Sequence, residues 1–194
     1  MDGGLISCDN SHILIWNLKD KVYFELNYDI KCSSGANCVL ETDHDSLFAA
    51  FSNENLVKFY ERNNNFKESK TIENVCCMSG NDVACVINPS LLCLAHEQGF
   101  YLIDTHKKEL IQFFETKETV FSFLKLKENS FLSCVKNALG VSFFVQYVFD
   151  EEINNFCETS RKYSPHNGDA LLCRKICGGM LVSYGGDLVV KLWK

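Results

Sequence analysis

Apolar and polar residues alternate along most of this chain with the two-residue period of a strand, in short runs separated by polar turns. Helical spacing is almost absent. The last stretch, GGMLVSYGGDLVVKLWK, is typical. It reads as a strand over Met180 to Tyr184, a turn at Gly185, Gly186 and Asp187, and a second strand over Leu188 to Trp193. Glycines that reach positive φ, followed by an Asp able to bond its own backbone, suit a hairpin there. One hairpin is marginal in water, so it calls for a larger sheet structure.

The same arrangement of strand, turn and strand recurs as GLISCDNSHILIWNL, SLFAAFSNENLVKFYER, SLLCLAHEQGFYLIDTH and SFLSCVKNALGVSFFVQ. The second strands carry marks at Trp16, Tyr60, Ile103-Asp104, Phe143 and Trp193, spaced by 44, 43, 40 and 50 residues. Further strand-like pieces flank each hairpin. KVYFELN (21–27), KTIENV (70–75) and ELIQFF (109–114) follow the marks. NCVLET (37–42), DVACVI (82–87), VFSFLKL (120–126) and ALLCRK (170–175) precede the hairpins. The polar segment Asp150 to Ser164 reads as an extended loop. About four short strands per repeat of about 40 residues predict an all-β chain, a β-propeller of about five four-stranded blades. The whole of 1–194 is expected to be a single domain of this kind.

These repeats resemble WD repeats. The last is the most similar: His166 in the polar loop SPHNGD, Ser183 on one strand, Asp187 in the turn and Trp193 on the next strand. In the family it resembles, such a His, Ser, Asp and Trp form a hydrogen-bonded chain that fixes the blade. The resemblance departs at Lys194, where an Asp would follow the Trp, and at Pro165, where a Gly would precede the His. The first repeat keeps Trp16, with Asn17 after it, and the middle repeats keep only the hydrophobic pattern. By strand count, about eighteen strands stand where five full blades need twenty. The first repeat starts at its second strand and the last stops at its third. An open or irregular five-bladed arrangement, or a partial propeller completed by a partner chain, would fit.

Composition narrows the function classes. Hydrophobic residues make up 46%, with 15 Phe and 2 Pro, enough for a real core. The net charge of −6 provides no basic field, which argues against nucleic acid as a partner. The start, MDGGLISCDN, reads as no export signal, and no run approaches a membrane span; VSFFVQYVF (141–149) is broken by Gln146. The eleven cysteines then read as reduced thiols of a cytoplasmic or nuclear protein, with Cys8, Cys38, Cys85, Cys93, Cys134 and Cys173 buried in strands.

Candidate chemistry is sparse. Cys173, Cys177 and His166 could suggest zinc, but C-x-x-x-C on a strand places both thiols on one face, which packing alone also produces. Cys93 with His96 or His106 shows no activating pattern. His12 follows Ser11 on a strand, His96 sits in an exposed turn, and His44 lies in the loop ETDHD beside Glu41, Asp43 and Asp45, whose carboxylates read as solvated. No phosphate cradle or nucleophile elbow occurs, so no catalytic site, cofactor or metal is expected. The WD resemblance implies a protein-binding scaffold or adaptor within a larger intracellular complex, with Tyr101, Tyr163 and Arg161 as candidate contacts. The alternative it admits is a hydrolase or other enzyme built on the same propeller.

Overall fold

The computed structural model describes residues 5–20, 22–42, 45–78, 83–164, 166, 170–176 and 179–193. The chain divides into two compact units, Met1–Ser79 and Gly80–Lys194. Among the described residues all long elements are strands, eighteen in number, and the lone helical turn is a 3-10 segment at Arg62–Asn64.

The first unit holds two antiparallel sheets. One is ordered β1 (Leu5–Cys8), β2 (His12–Lys19), β3 (Tyr23–Lys31), and the other β4 (Cys38–Thr42), β5 (Ser46–Phe51), β6 (Leu56–Glu61), β7 (Lys67–Glu73). Ile13 and Ile15 of β2 pack with Leu47, Ala49 and Phe51 of β5 and with Tyr60 and Phe66, all buried. Their alternation along β2 is what turns one face of the strand to this core.

The second unit holds three sheets. They are β8 (Ala84–Asn88) to β11 (Glu109–Glu115), with β9 (Leu91–His96) and β10 (Gly99–Asp104) between; β12 (Thr119–Lys127), β13 (Ser130–Lys136), β14 (Ser142–Asp150) and β15 (Asn155–Tyr163); and β16 (Ala170–Lys175), β17 (Leu181–Gly185) and β18 (Val190–Trp193). Phe100 of β10 is the hub of the aromatic core. It meets Phe123, Phe131 and Tyr147 edge-on at 5.9, 5.7 and 5.5 Å and stacks on Phe114 at 5.4 Å. Such geometries add to the area buried by each ring.

The register corrects the fourth mark. Trp16 faces Leu5, Tyr60 faces Leu47, Ile103 faces Leu92 and Trp193 faces Leu181, each at the start of its partner strand. The residue so placed in the fourth sheet is Tyr147, opposite Phe131, and not Phe143. The marks then fall at 16, 60, 103, 147 and 193, spaced 44, 43, 44 and 46 residues apart. A bulge sits immediately before four of them, at Ile15/Trp16, Phe59/Tyr60, Leu102/Ile103 and Gln146/Tyr147. One repeated kink at one repeated position marks these sheets as copies of one unit.

Two further expectations change. Asp150 to Ser164 is no loop: it contains the nine-residue outer strand β15, paired with β14 from Phe143↔Tyr163 to Asp150↔Asn155. Nearly every β15 side chain is solvent-exposed, so no apolar alternation announces it. The last hairpin also turns differently. Leu188, not a glycine, takes positive φ (59°), and its N–H donates to Gly185 O at 3.0 Å, so β18 starts at Val190.

Candidate functional site

Four side chains converge in the last sheet. Trp193 Nε1 lies 2.9 Å from Ser183 Oγ, Ser183 Oγ lies 2.8 Å from His166 Nε2, and His166 Nδ1 lies 2.9 Å from Asp187 Oδ1. Ser183 and Trp193 reach one another because Ser183 pairs with Lys191 across the ladder, which puts Trp193 two residues along on the same face. Asp187 sits in the turn between these strands, and its other contact fixes the turn, with Val189 N donating to Oδ1 at 3.2 Å. The indole N–H can only donate, so the Ser183 hydroxyl proton goes to His166 Nε2 and Nδ1–H donates to Asp187. Each donor of this relay thereby meets an acceptor in a place where unmatched groups are costly.

Ser, His and Asp in this order have the connectivity of a nucleophilic triad. Burial argues against that use. Ser183 is 1% and His166 6% exposed, and the Ser183 oxygen already accepts the indole proton. A nucleophile needs a substrate within reach.

The first sheet carries a shorter version that residue types alone did not reveal. Trp16 Nε1 donates to Ser7 Oγ at 3.0 Å, across the strand pair matching that of Ser183 and Trp193. The available signal is the spacing, Ser nine residues before Trp16 and ten before Trp193. At the corresponding ladder position stand Ala49, Leu94 and Ser133, opposite Lys58, Tyr101 and Val145. Two sheets have therefore traded the hydroxyl for buried hydrocarbon.

The fourth sheet replaces the histidine relay with an ion cluster. Arg161 of β15 grips Glu118 at 2.5 and 3.1 Å and Glu158 at 2.8 and 2.7 Å. The Arg161 hydrogen bond holds the Glu158 carboxyl below its ordinary value. Burial, with the Glu118 and Glu158 charges, pushes the Tyr147 phenol up. Arg161 also lies over the Phe143 ring at 5.1 Å. It is thus committed within the sheet rather than offered to a partner.

Other singled-out residues fall as follows. Tyr101 is half-buried between His96 and Phe113, at 5.4 and 4.9 Å, while Tyr163 is 76% exposed. His96 ends β9 rather than sitting in an exposed turn, accepts Gln98 N–H through Nδ1, and is lowered in pKa by burial. His12 has a partner after all, with Ser11 Oγ 2.9 Å from its Nδ1. Glu41 pairs with Arg62, which also lies 3.7 Å from Asp45. Cys38, Cys85, Cys93, Cys134 and Cys173 are buried, but Cys8, at the outer end of β1, is exposed. Burial pushes Cys173 up to about 11 and Cys93 well above the ordinary thiol value. Cys177, Asp43, His44, Pro165 and Lys194 lie outside the described residues. Among the described residues no three His, Cys, Asp or Glu side chains gather as metal ligands.

No protein-family model matches the chain, and no curated protein matches it. Solved structures do. The chain is similar to U3-55K (14% identity, TM-score 0.73), to a chain in a crystal structure of a mitotic checkpoint complex (12%, 0.76) and to the WD40 repeats of RRP9 (13%, 0.72). The matches cover 98–99% of this chain but only 57–58% of the other chains, so it spans less than three-fifths of their length. At these identities the likeness concerns the fold alone, an all-β propeller.

Proposed function

We propose that the chain is a protein-interaction scaffold, a WD-repeat-type subunit of a larger intracellular assembly, cytoplasmic or nuclear, whose partners are proteins rather than nucleic acid. The observation that carries this reading is the fold likeness, one of whose members is a chain within a mitotic checkpoint complex. Exposed apolar side chains support it, among them Tyr23, Phe24 and Leu26 on β3 and Leu188, Val190 and Leu192 at the last hairpin. Among the described residues no helix is long and apolar enough to cross a membrane. In this reading His166, Ser183, Asp187 and Trp193 serve the architecture, and 1–194 acts as one domain.

Affinity purification of the tagged chain, followed by size exclusion and mass spectrometry, tests the proposal. The expected result is a stoichiometric protein partner that co-elutes and is lost on Phe24→Glu with Leu26→Glu, or on Leu192→Glu. A chain that always elutes alone, or turnover of a substrate by the pure protein, would overturn it.

A further inference from the structure

Four of the five marks of the repeat carry a polar atom, and they are not all satisfied alike. Trp16 and Trp193 donate to serines at 3.0 and 2.9 Å, and the Tyr60 phenol has the Cys32 thiol beside it. Tyr147 differs. Ser133, the serine at its ladder position, is engaged elsewhere, with its hydroxyl donating to the Ser122 carbonyl at 3.3 Å. The Tyr147 hydroxyl is left with no hydrogen-bond partner among the described residues, although Tyr147 is only 6% exposed. Buried phenols ordinarily find a partner, so an open one calls for an explanation.

Tyr147 lines a cavity of about 290 Å³ between the β8–β11 sheet and the β12–β15 sheet. Phe100, Phe114 and Phe156 form one wall, with ring centroids 4.9–5.4 Å apart. This is the small end of the ligand-cavity range and suits one long side chain. Glu115, Glu158 and Arg161 stand at the polar side. Arg161 is already committed, by two hydrogen bonds to Glu118 and two to Glu158. One guanidinium therefore answers three carboxylates, Glu115, Glu118 and Glu158, and negative charge is in excess. Glu115 is exposed and has no hydrogen bond or ion pair among the described residues. Glu158 lies directly across the ladder from Tyr147, so a carboxylate stands beside the open phenol. Lys117, close by in the chain, is not among the lining residues.

We propose that this cavity binds a lysine side chain presented by a partner protein. The lysine stem lies along the phenyl wall, whose ring faces attract a cation. Its ammonium has three N–H donors, and three acceptors converge on it: the Tyr147 oxygen and the Glu115 and Glu158 carboxylates. The phenol proton then goes to Glu158, so both ends of the hydroxyl are used. A chain of net charge −6 favours encounter with a basic partner in the same sense. This proposal rests on the scaffold reading and names the partner's chemistry.

The test titrates Nα-acetyl-lysine methylamide into the intact 15N-labelled protein and follows the amide shifts. Saturable shifts are expected, clustered at 114–118 and 155–161. Binding should weaken about tenfold in Tyr147→Phe and in Glu115→Gln, the scale for losing one hydrogen bond to a charged group. The uncharged norleucine probe should not bind. Tyr147→Phe removes a hydroxyl that holds nothing in the fold, so its urea midpoint should match the parent's. A clearly lower midpoint would mean that the phenol has an internal partner, and the proposal would fall. It would fall equally if the norleucine probe bound as well as the lysine probe, if the shifts lay only elsewhere, or if nothing bound. Spermidine binding tenfold tighter than the lysine probe would assign the cavity to a free polyamine and refute a protein-borne lysine. In affinity purification, a partner retained in full by the double variant Glu115→Gln with Tyr147→Phe keeps the scaffold reading and sinks this one.

Discussion

Ser183 holds two hydrogen bonds where Ser7 holds one, and that difference sets an order of stabilities. Ser183→Ala strands both His166 Nε2 and the Trp193 indole in a buried place, for a cost of about 1–3 kcal/mol. Ser7→Ala releases only the indole of Trp16, in a half-buried place, for about 0.5–1.5 kcal/mol. Asp187→Ala should resemble Ser183→Ala, while Trp193→Ala, which also empties the volume of a half-buried ring beside Phe144, should cost most, about 2–4 kcal/mol. Urea midpoints of the four variants check the order, and a Ser7→Ala cost exceeding that of Ser183→Ala would refute it. A pH dependence arises one sheet earlier. Because Arg161 lowers the Glu158 carboxyl below its unfolded value, it contributes stability that is present above the unfolded pKa and is lost as pH falls through the folded one. Arg161→Gln should therefore lower the urea midpoint at pH 7. The gap from the parent should start to narrow as pH falls below the unfolded Glu value of about 4.3 and should close as pH falls through the lower folded value of Glu158. A gap that widens on acidification would contradict this assignment.

Whether an element is legible in sequence depends on how many of its faces are buried. The five hairpins stand out because one or both faces meet the core, as in β5, buried at all six positions. β15 has no buried face to imprint a pattern, and its polar sequence NFCETSRKY reads as a loop. In β14 the opposite problem arises. Phe143, Phe144, Val145, Tyr147 and Phe149 are all buried, so periodicity cannot say which aromatic is the repeat's mark, and only the ladder with β13 picks out Tyr147. Of the site, His166, Ser183, Asp187 and Trp193 could be named from residue type and order. Ser7 could not, because the turn acid of its repeat, Asp9, caps its own turn through the N–H groups of Ser11 and His12 rather than leading through a histidine to the serine. Two outer strands, β7 and β15, are anchored instead by a phenylalanine at their entry, Phe66 against Tyr28 and Phe156 against Phe100 and Phe114. Phe66→Ala should cost about 3–5 kcal/mol and Phe156→Ala, half-buried, somewhat less, while Thr159→Val on the exposed face of β15 should stay within about 0.5 kcal/mol. Equal effects of Phe156→Ala and Thr159→Val in chemical denaturation would show that β15 is held by its ladder alone.

At the scale of the whole molecule, the chain places one tryptophan in each compact unit, Trp16 in the first and Trp193 in the second. Each unit also has its own core, built around Ile13, Ile15 and Phe51 in one and around Phe100 and Phe131 in the other. A chain with two cores can unfold in one step or two, and the reading of 1–194 as one domain requires one. Trp193→Phe leaves Trp16 as the reporter of the first unit, and Trp16→Phe leaves Trp193 as the reporter of the second. Each substitution removes an indole bond to serine and shifts the midpoint of its own variant, so fluorescence is compared with far-ultraviolet circular dichroism of the same protein, not across variants. One domain predicts that, within each variant, the two signals trace the same urea transition with the same slope, because the lone tryptophan and the strands of both units are lost together. A fluorescence transition that leads or trails the dichroism by more than the error of the fit would mean that the units unfold separately. The single-domain reading would then fail, even with every hydrogen bond of the last sheet in place.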